Sequence, residues 1–192
     1  TENPRNLTDE QIRKIGERKG GGPEDVTLTI LDRPRHEDTV KEIREAGATI
    51  RFITDGDVQA ALLAVSEGTG IDLLWGIGGT PEGVLAASAI KCLGGEIIGR
   101  LWPRNDEERQ AAIDAGYDLD RVLSANDLVS GDDVFFAATG VTDGDLLDGV
   151  RRHRGHATTE SLVMRSRSGT VRKIGARHDR VKLREITGGR HS

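Results

Sequence analysis

The sequence predicts an α/β fold: a mixed, mostly parallel sheet with flanking helices and a C-terminal β-hairpin. Three observations carry that expectation. Short runs rich in β-branched residues and leucine alternate with helical stretches along most of the chain, the pattern of a parallel sheet with helices on its faces. The 192 residues include 25 glycines, too many for plain helices and strands, so tight turns or ligand-cradling loops must separate the elements. Near the end the pattern changes to two β-rich runs around Ser168-Gly169, a hairpin signal.

Taken in order, residues 1–24 are polar and end in Gly20-Gly21-Gly22-Pro23. They predict a short helix at Asp9–Arg18 and a linker. A strand is expected at Asp25–Leu31, then a helix at Glu37–Ala46 with His36 or Asp38 near its start and Gly47 to end it. Ala48–Thr54 reads as a strand, Val58–Ser66 as a helix and Ile71–Trp75 as a strand. After Gly76-Ile77-Gly78-Gly79, Pro81 suits the start of a helix that runs to Leu93, because its missing N–H would have had no partner there. Glu96–Leu101 follows as a strand, Asp106–Ala115 as a helix stopped by Gly116, Asp133–Ala138 as a strand and Asp145–Val150 as a short amphipathic helix. Ser161–Arg167 and Thr170–Ala176 form the hairpin. The domain reading is a 1–24 helix and linker, a 25–186 α/β domain and a 187–192 flexible tail.

Composition narrows the function classes. Hydrophobic residues are 35%, charged residues 31% and aromatics 3%, so the core rests on Val, Ile, Leu and Ala. The formal charge is −5, and a nucleic-acid binder would carry a basic surplus, so no nucleic-acid partner is expected. No apolar run approaches a membrane span and no leader is evident; the expectation is a cytoplasmic protein with no membrane partner. The single cysteine, Cys92, cannot form an intramolecular disulfide and lies in an apolar helical run, where it reads as core packing.

In an open α/β sheet, ligands bind beyond the C-terminal ends of the strands. Three segments fall there. Asp32-Arg33-Pro34-Arg35-His36 sets two arginines across a proline; held on a stiff loop they can grip a phosphate, or they form a solvated basic turn. Asp55-Gly56-Asp57 can aim two carboxylates at sugar hydroxyls or a divalent cation, or Asp57 simply caps the next helix. Gly76–Gly83 lets a ligand approach the backbone before a helix N-terminus. In it Glu82 either favours the helix dipole or binds a metal that bridges to phosphate. No Lys-Ser or Lys-Thr follows the glycines, which argues against a nucleotide P-loop.

Weaker candidates stand apart. Asp143-Gly144-Asp145 reads as a helix cap, and Asp132 and Asp133 mark a turn into a strand. His153 and His156 read as surface residues or part of an anion-binding patch, and His36 as a ligand-orienting residue or a helix cap. Trp75 and Trp102 read as packing near strand ends. No Ser-His-Asp or Cys-His nucleophile arrangement can be argued.

These segments together resemble one family. The run Leu31–His36, then Asp55-Gly56-Asp57-Val58, then Gly76–Ala87 and Lys91–Gly95 resemble class II fructose-1,6-bisphosphatases. So do Asp127–Val134, Phe136–Gly144, Ser161–Ser166 and Gly169–Arg172, in order and spacing from about Leu7 to Leu183. The resemblance implies the fold of the C-terminal region of lithium-sensitive sugar phosphatases. It also implies hydrolysis of the 1-phosphate of fructose 1,6-bisphosphate to fructose 6-phosphate, as in gluconeogenesis, with Mn²⁺ or Mg²⁺.

By motif position, Arg33, Pro34 and Arg35 would contact substrate phosphate and Asp55, Gly56 and Asp57 the sugar. Gly79 would touch substrate and Glu82 would bind metal. Arg33 stands where relatives often carry Lys, which keeps the charge. Further acidic metal ligands and an Asp-Gly-Thr-like segment are expected in an N-terminal region, in the same or a separate chain. Without it this chain would turn over little or nothing, since Glu82 alone cannot hold a two-metal cluster, and no catalytic residue is assigned within it. A homo-oligomer is expected. The competing readings are a phosphatase for sedoheptulose 1,7-bisphosphate or an inositol phosphate, and a non-catalytic sugar-phosphate-binding or assembly module.

Overall fold

A computed structural model describes residues 7–186. The helices are α1 (Asp9–Arg18), α2 (Glu37–Glu45), α3 (Asp57–Val65), α4 (Thr80–Leu93), α5 (Asp106–Asp114), α6 (Ala125–Leu128) and α7 (Arg180–Ile186). The strands are β1 (Thr27–Leu31), β2 (Thr49–Ile53), β3 (Leu73–Trp75), β4 (Ile98–Gly99), β5 (Leu123–Ser124), β6 (Phe135–Thr139), β7 (Arg151–Arg152), β8 (His156–Arg165) and β9 (Thr170–Asp179). The α/β class is as expected. The strands, however, divide into three sheets rather than one. The order β2-β1-β3 is wholly parallel, β4 pairs antiparallel with β5, and β6, β7 and β9 all pair antiparallel with β8.

The cores explain the division. Leu28 and Ile30 of β1 are fully buried beside Ile12 of α1 and Ile43 of α2, so these helices cover one face of the parallel sheet. On its other side Leu74 of β3 packs on Ala61 of α3 and on Ala86 and Ile90 of α4. The opposite flank of the same two helices, through Leu62, Ala89 and Cys92, packs on Phe136, Leu162 and Met164 of the antiparallel sheet. The layers therefore run helices, parallel sheet, helices, antiparallel sheet. With α3 and α4 between them, the two larger sheets cannot share a hydrogen-bond ladder. The third sheet is the short β4–β5 pair. Small residues make the inner helix layer close-packed: Ala60, Ala61, Ala86, Ala87 and Ala89 are all buried. Cys92 is buried there as expected, and its thiol donates to the Val134 carbonyl at 3.5 Å.

Local chemistry sets several ends. Thr8 and Gln11 form a reciprocal capping box on α1. Asn105 accepts from the Glu108 N–H at the start of α5. The Ser124–Asp127 pair caps α6.

Two further expectations fail. No helix occupies Asp145–Val150, because other partners take the backbone donors there: Gly144 N–H donates to the Leu147 carbonyl, Asp148 N–H to Glu160 and Gly149 N–H to Asp143. The strand expected over Glu96–Leu101 forms only at Ile98–Gly99. The hairpin reaches further than its sequence signal, pairing His156 with Asp179 at its far end. The expected tail at 187–192 lies outside the described residues. Among the described residues no helix is long and apolar enough to cross a membrane.

Two outcomes test this architecture. Ile30→Ala removes a fully buried side chain from the first core and should cost about 2–5 kcal/mol in urea unfolding. Asp127 is held at a pKa of about 2, chiefly by the hydroxyl and N–H of Ser124 and then by Arg121. Because the folded value is depressed, its stabilising effect is present above the ordinary value of 3.8 and fades as pH falls towards 2. NMR titration should show the Ser124 amide still capping at pH 4 and released near pH 2.

Candidate functional site at the ends of the parallel strands

The order β2-β1-β3 places the segment after β1 between the segments after β2 and β3. Asp32–His36 joins both. Arg33 donates to the Thr54 carbonyl at 2.8 Å on the β2 side, and to the Asp32 carbonyl at 2.8 Å. Arg35 donates to the Ile77 carbonyl at 2.5 Å on the β3 side. Pro34 starts a single 3₁₀ turn, Pro34–His36, with Arg33 extended before it, as its ring requires. The two guanidinium groups thus diverge to opposite neighbours.

His36 completes the tie. Its ring is fully buried, Nδ1 lies 2.8 Å from the Leu31 carbonyl, and Nε2 lies 3.1 Å from the Ile77 N–H. Both contacts are satisfied when Nδ1 carries the proton and Nε2 accepts. Trp75 meets this ring edge-on at 5.8 Å. His36 is therefore a structural bridge between β1 and the glycine-rich loop, and its side chain does not cap α2.

The second loop ends in Gly56, which has φ 88° and ψ 44° just before α3. A side chain would be strained there, and glycine reverses the chain without that strain. Asp55 accepts from the Gly56 N–H at 2.8 Å and stays exposed. Asp57 starts α3 and turns towards the third loop: a Cβ built on Gly78 would lie 2.8 Å from its Oδ2.

The third loop leads into α4. Gly79 carries no side-chain cap, so polar hydrogens of the first turn face outward. Pro81 is the second residue of the helix rather than the first. Glu82 folds back over the loop, since a Cβ on Gly79 would fall 2.1 Å from its Oε2. Asp57 and Glu82 therefore lie against consecutive glycines, beside the N-termini of two helices. Such helix ends favour an anion. Among the described residues no ion pair joins Arg33, Arg35, Asp55, Asp57 or Glu82 to another side chain.

The donor set does not by itself make a metal centre. Two carboxylates converge at Gly78 and Gly79, but no group of three or more His, Cys, Asp or Glu residues able to hold a metal ion occurs among the described residues.

This arrangement has a family. The bacterial fructose-1,6-bisphosphatase family, glpX-encoded, matches residues 4–178. The chain belongs to it. Among relatives of this fructose-1,6-bisphosphatase family are two proteins from Synechococcus strains JA-3-3Ab and JA-2-3B'a(2-13). Each is named D-fructose 1,6-bisphosphatase class 2/sedoheptulose 1,7-bisphosphatase, and each is 47% identical over 80% of this chain and 48% of its own. The fructose-1,6-bisphosphatase class 2 of Haemophilus influenzae is 39% identical over 88% of this chain and 55% of its own. The chain spans about half the length of the curated relatives it matches.

The remaining candidates separate from the site or change character. Asp132 and Asp133 do lead into β6, and Asp133 pairs with Arg165 at 2.5 Å. His153 and His156 stack at 4.4 Å on the β7–β8 turn. Trp102 is half exposed. The Asp143–Asp145 segment caps no helix; it lies against α3, which sequence spacing did not suggest. A cleft of about 500 Å³ between α2 and β2 reaches the site only through Asp32 and Arg33.

His36→Phe keeps the bulk but leaves the Ile77 N–H and Leu31 carbonyl unpaired. It should cost about 2–3 kcal/mol in urea unfolding and speed hydrogen exchange at the Ile77 amide. Unchanged protection at Ile77 would mean that the ring does not hold the loop.

Proposed function

We propose that this chain carries the substrate-binding side of a sugar-bisphosphate phosphatase that converts fructose 1,6-bisphosphate to fructose 6-phosphate, a step of gluconeogenesis. The observation that carries the reading is the tying of three loops at one end of the parallel sheet by Arg33, Arg35 and His36. The family resemblance gives the roles. Arg33, Pro34 and Arg35 hold a substrate phosphate; each guanidinium keeps donors beyond those given to carbonyls, and donates to the anion in the same plane. Asp55, Gly56 and Asp57 meet the sugar, the carboxylates accepting from hydroxyls. Gly79 lets the substrate lie against the loop, where the first-turn amides of α4 add favourable charge.

Glu82 is the proposed metal ligand, for Mn²⁺ or Mg²⁺. A bound divalent cation would supply Lewis-acid chemistry to such a site, but the described residues do not complete one, so the other ligands belong outside them. The chain's own part in catalysis is positioning: a bisphosphate gripped at one end presents its 1-phosphate in a fixed place. The same proposal includes a lithium-sensitive-phosphatase-like fold for the whole, a homo-oligomer and a cytoplasmic location.

A second reading has a specific support. The Synechococcus relatives carry a sedoheptulose 1,7-bisphosphatase name as well, so sedoheptulose 1,7-bisphosphate is a candidate substrate on the same residues.

The deciding experiment follows phosphate release and ligand binding together. The 192-residue chain should bind fructose 1,6-bisphosphate with little turnover in Mn²⁺, and gain Mn²⁺-dependent turnover when joined to the remaining part of a relative. In that complete form Glu82→Gln should lower kcat by at least about a hundredfold, and Arg35→Lys should mainly raise KM. Tight binding without turnover in the joined protein would instead favour a non-catalytic module; no binding in either form would overturn the proposal.

A further inference from the structure

The loop between β6 and β7, residues 140–150, belongs to the antiparallel sheet in sequence but reaches the parallel sheet's end. Leu147 anchors it, buried in the second core with Leu62 of α3. The loop is internally fixed: Val150 N–H donates to the Val141 carbonyl, Gly149 N–H to Asp143, and Asp148 N–H to Glu160 of β8. Two contacts then leave it. Asp145 pairs with Arg51 of β2, which lies 94 residues away in sequence. Gly144 lies against Gln59 in the first turn of α3, where an added Cβ would stand 2.8 Å from Oε1 and 3.0 Å from Nε2. Gln59 in turn borders Gly56, whose Cβ would lie 3.8 Å from that of Gln59.

These contacts bracket the Asp55–Asp57 turn. Arg51 precedes it on β2 and Gln59 follows it on α3. Gly56 is in left-handed backbone and no side chain caps α3; within the turn the bonds are local, Gly56 N–H to Asp55 and Ala60 N–H to the Gly56 carbonyl, so what ties it to the rest of the fold comes from its flanks. We infer that the 143–145 loop is a positioning strut for the Asp55–Asp57 turn, with Gly144, Asp145, Arg51 and Gln59 as positioning residues. The side chain beside Gly78 is that of Asp57, not one of these four. They act by holding β2 and the start of α3, on either side of the turn, so that Asp57 stays against Gly78. The inference of a strut stands on geometry; its consequence for a sugar phosphate rests on the proposed function.

The test uses the full chain and two variants that preserve the fold. Asp145→Asn removes an exposed ion pair. Gly144→Ala is compatible with the backbone, since Gly144 does not adopt positive φ, and its new methyl displaces only the flexible end of Gln59. Amide hydrogen exchange should quicken about two- to fivefold at residues 60–63, whose bonds begin with Ala60 N–H to the Gly56 carbonyl, in each variant, while β8 and β9 amides keep their rates and Tm stays within a few degrees. Gln59→Ala combined with Gly144→Ala should be no worse than either alone. Unchanged exchange at 60–63 overturns the strut, and so does a uniform rise across the chain, which would mark plain destabilisation. Titration with fructose 1,6-bisphosphate is the second arm. If wild type binds, the variants should bind about two- to fivefold more weakly, and equal affinity overturns the positioning role. If wild type does not bind, the functional reading fails while the exchange result still decides the strut.

Discussion

The central place of β1 is the constraint on which the site depends. A strand with parallel neighbours on both sides sends its C-terminal loop out between theirs. Here that loop holds Arg33, Arg35 and His36, and the loops beside it offer backbone groups that a strand end leaves unpaired. Arg33 satisfies Thr54, while Arg35 and His36 satisfy both the carbonyl and the N–H of Ile77. The proline between the arginines keeps the loop short and stiff. Two positive charges and the hydrogen bonds that define the backbone are thus carried by the same few residues.

The second constraint is the shared helix layer. α3 and α4 each start at the site and each pack on both larger sheets. Alanine at their contacts lets the sheets approach closely, and a helix held on two flanks cannot shift its N-terminus freely. Asp57 and Glu82 sit at those N-termini, so packing well behind them contributes to their positions. The chain belongs to the bacterial fructose-1,6-bisphosphatase family and spans about half the length of the curated relatives it matches.

Much was legible in the sequence because it was local. Helix α1 was expected around Asp9–Arg18 from the polar N-terminal pattern and forms there, and Gly56 marked the turn into α3. The three loops were found because strand ends are readable from β-branched runs and glycines. The Asp145–Val150 segment misled, because an amphipathic pattern does not reveal that Glu160 and Asp143 will take the amides a helix would need. His36 was weighed as a cap or a ligand-orienting group. Its buried bridge to Ile77 spans 41 residues, and no periodicity encodes such a pair.

The sequence by itself determined the α/β class, the terminal hairpin, the three loops and the family, because periodicity, turn chemistry and motif order are properties of neighbouring residues. Only the tertiary structure decided that the strands form three sheets, that Arg33 and Arg35 diverge to opposite loops, and that Gly144 and Asp145 meet α3 and β2. Those outcomes depend on which apolar faces find each other, and α3 and α4 have two such faces. Placing them between the sheets is a result of packing, which acts between residues far apart in the chain.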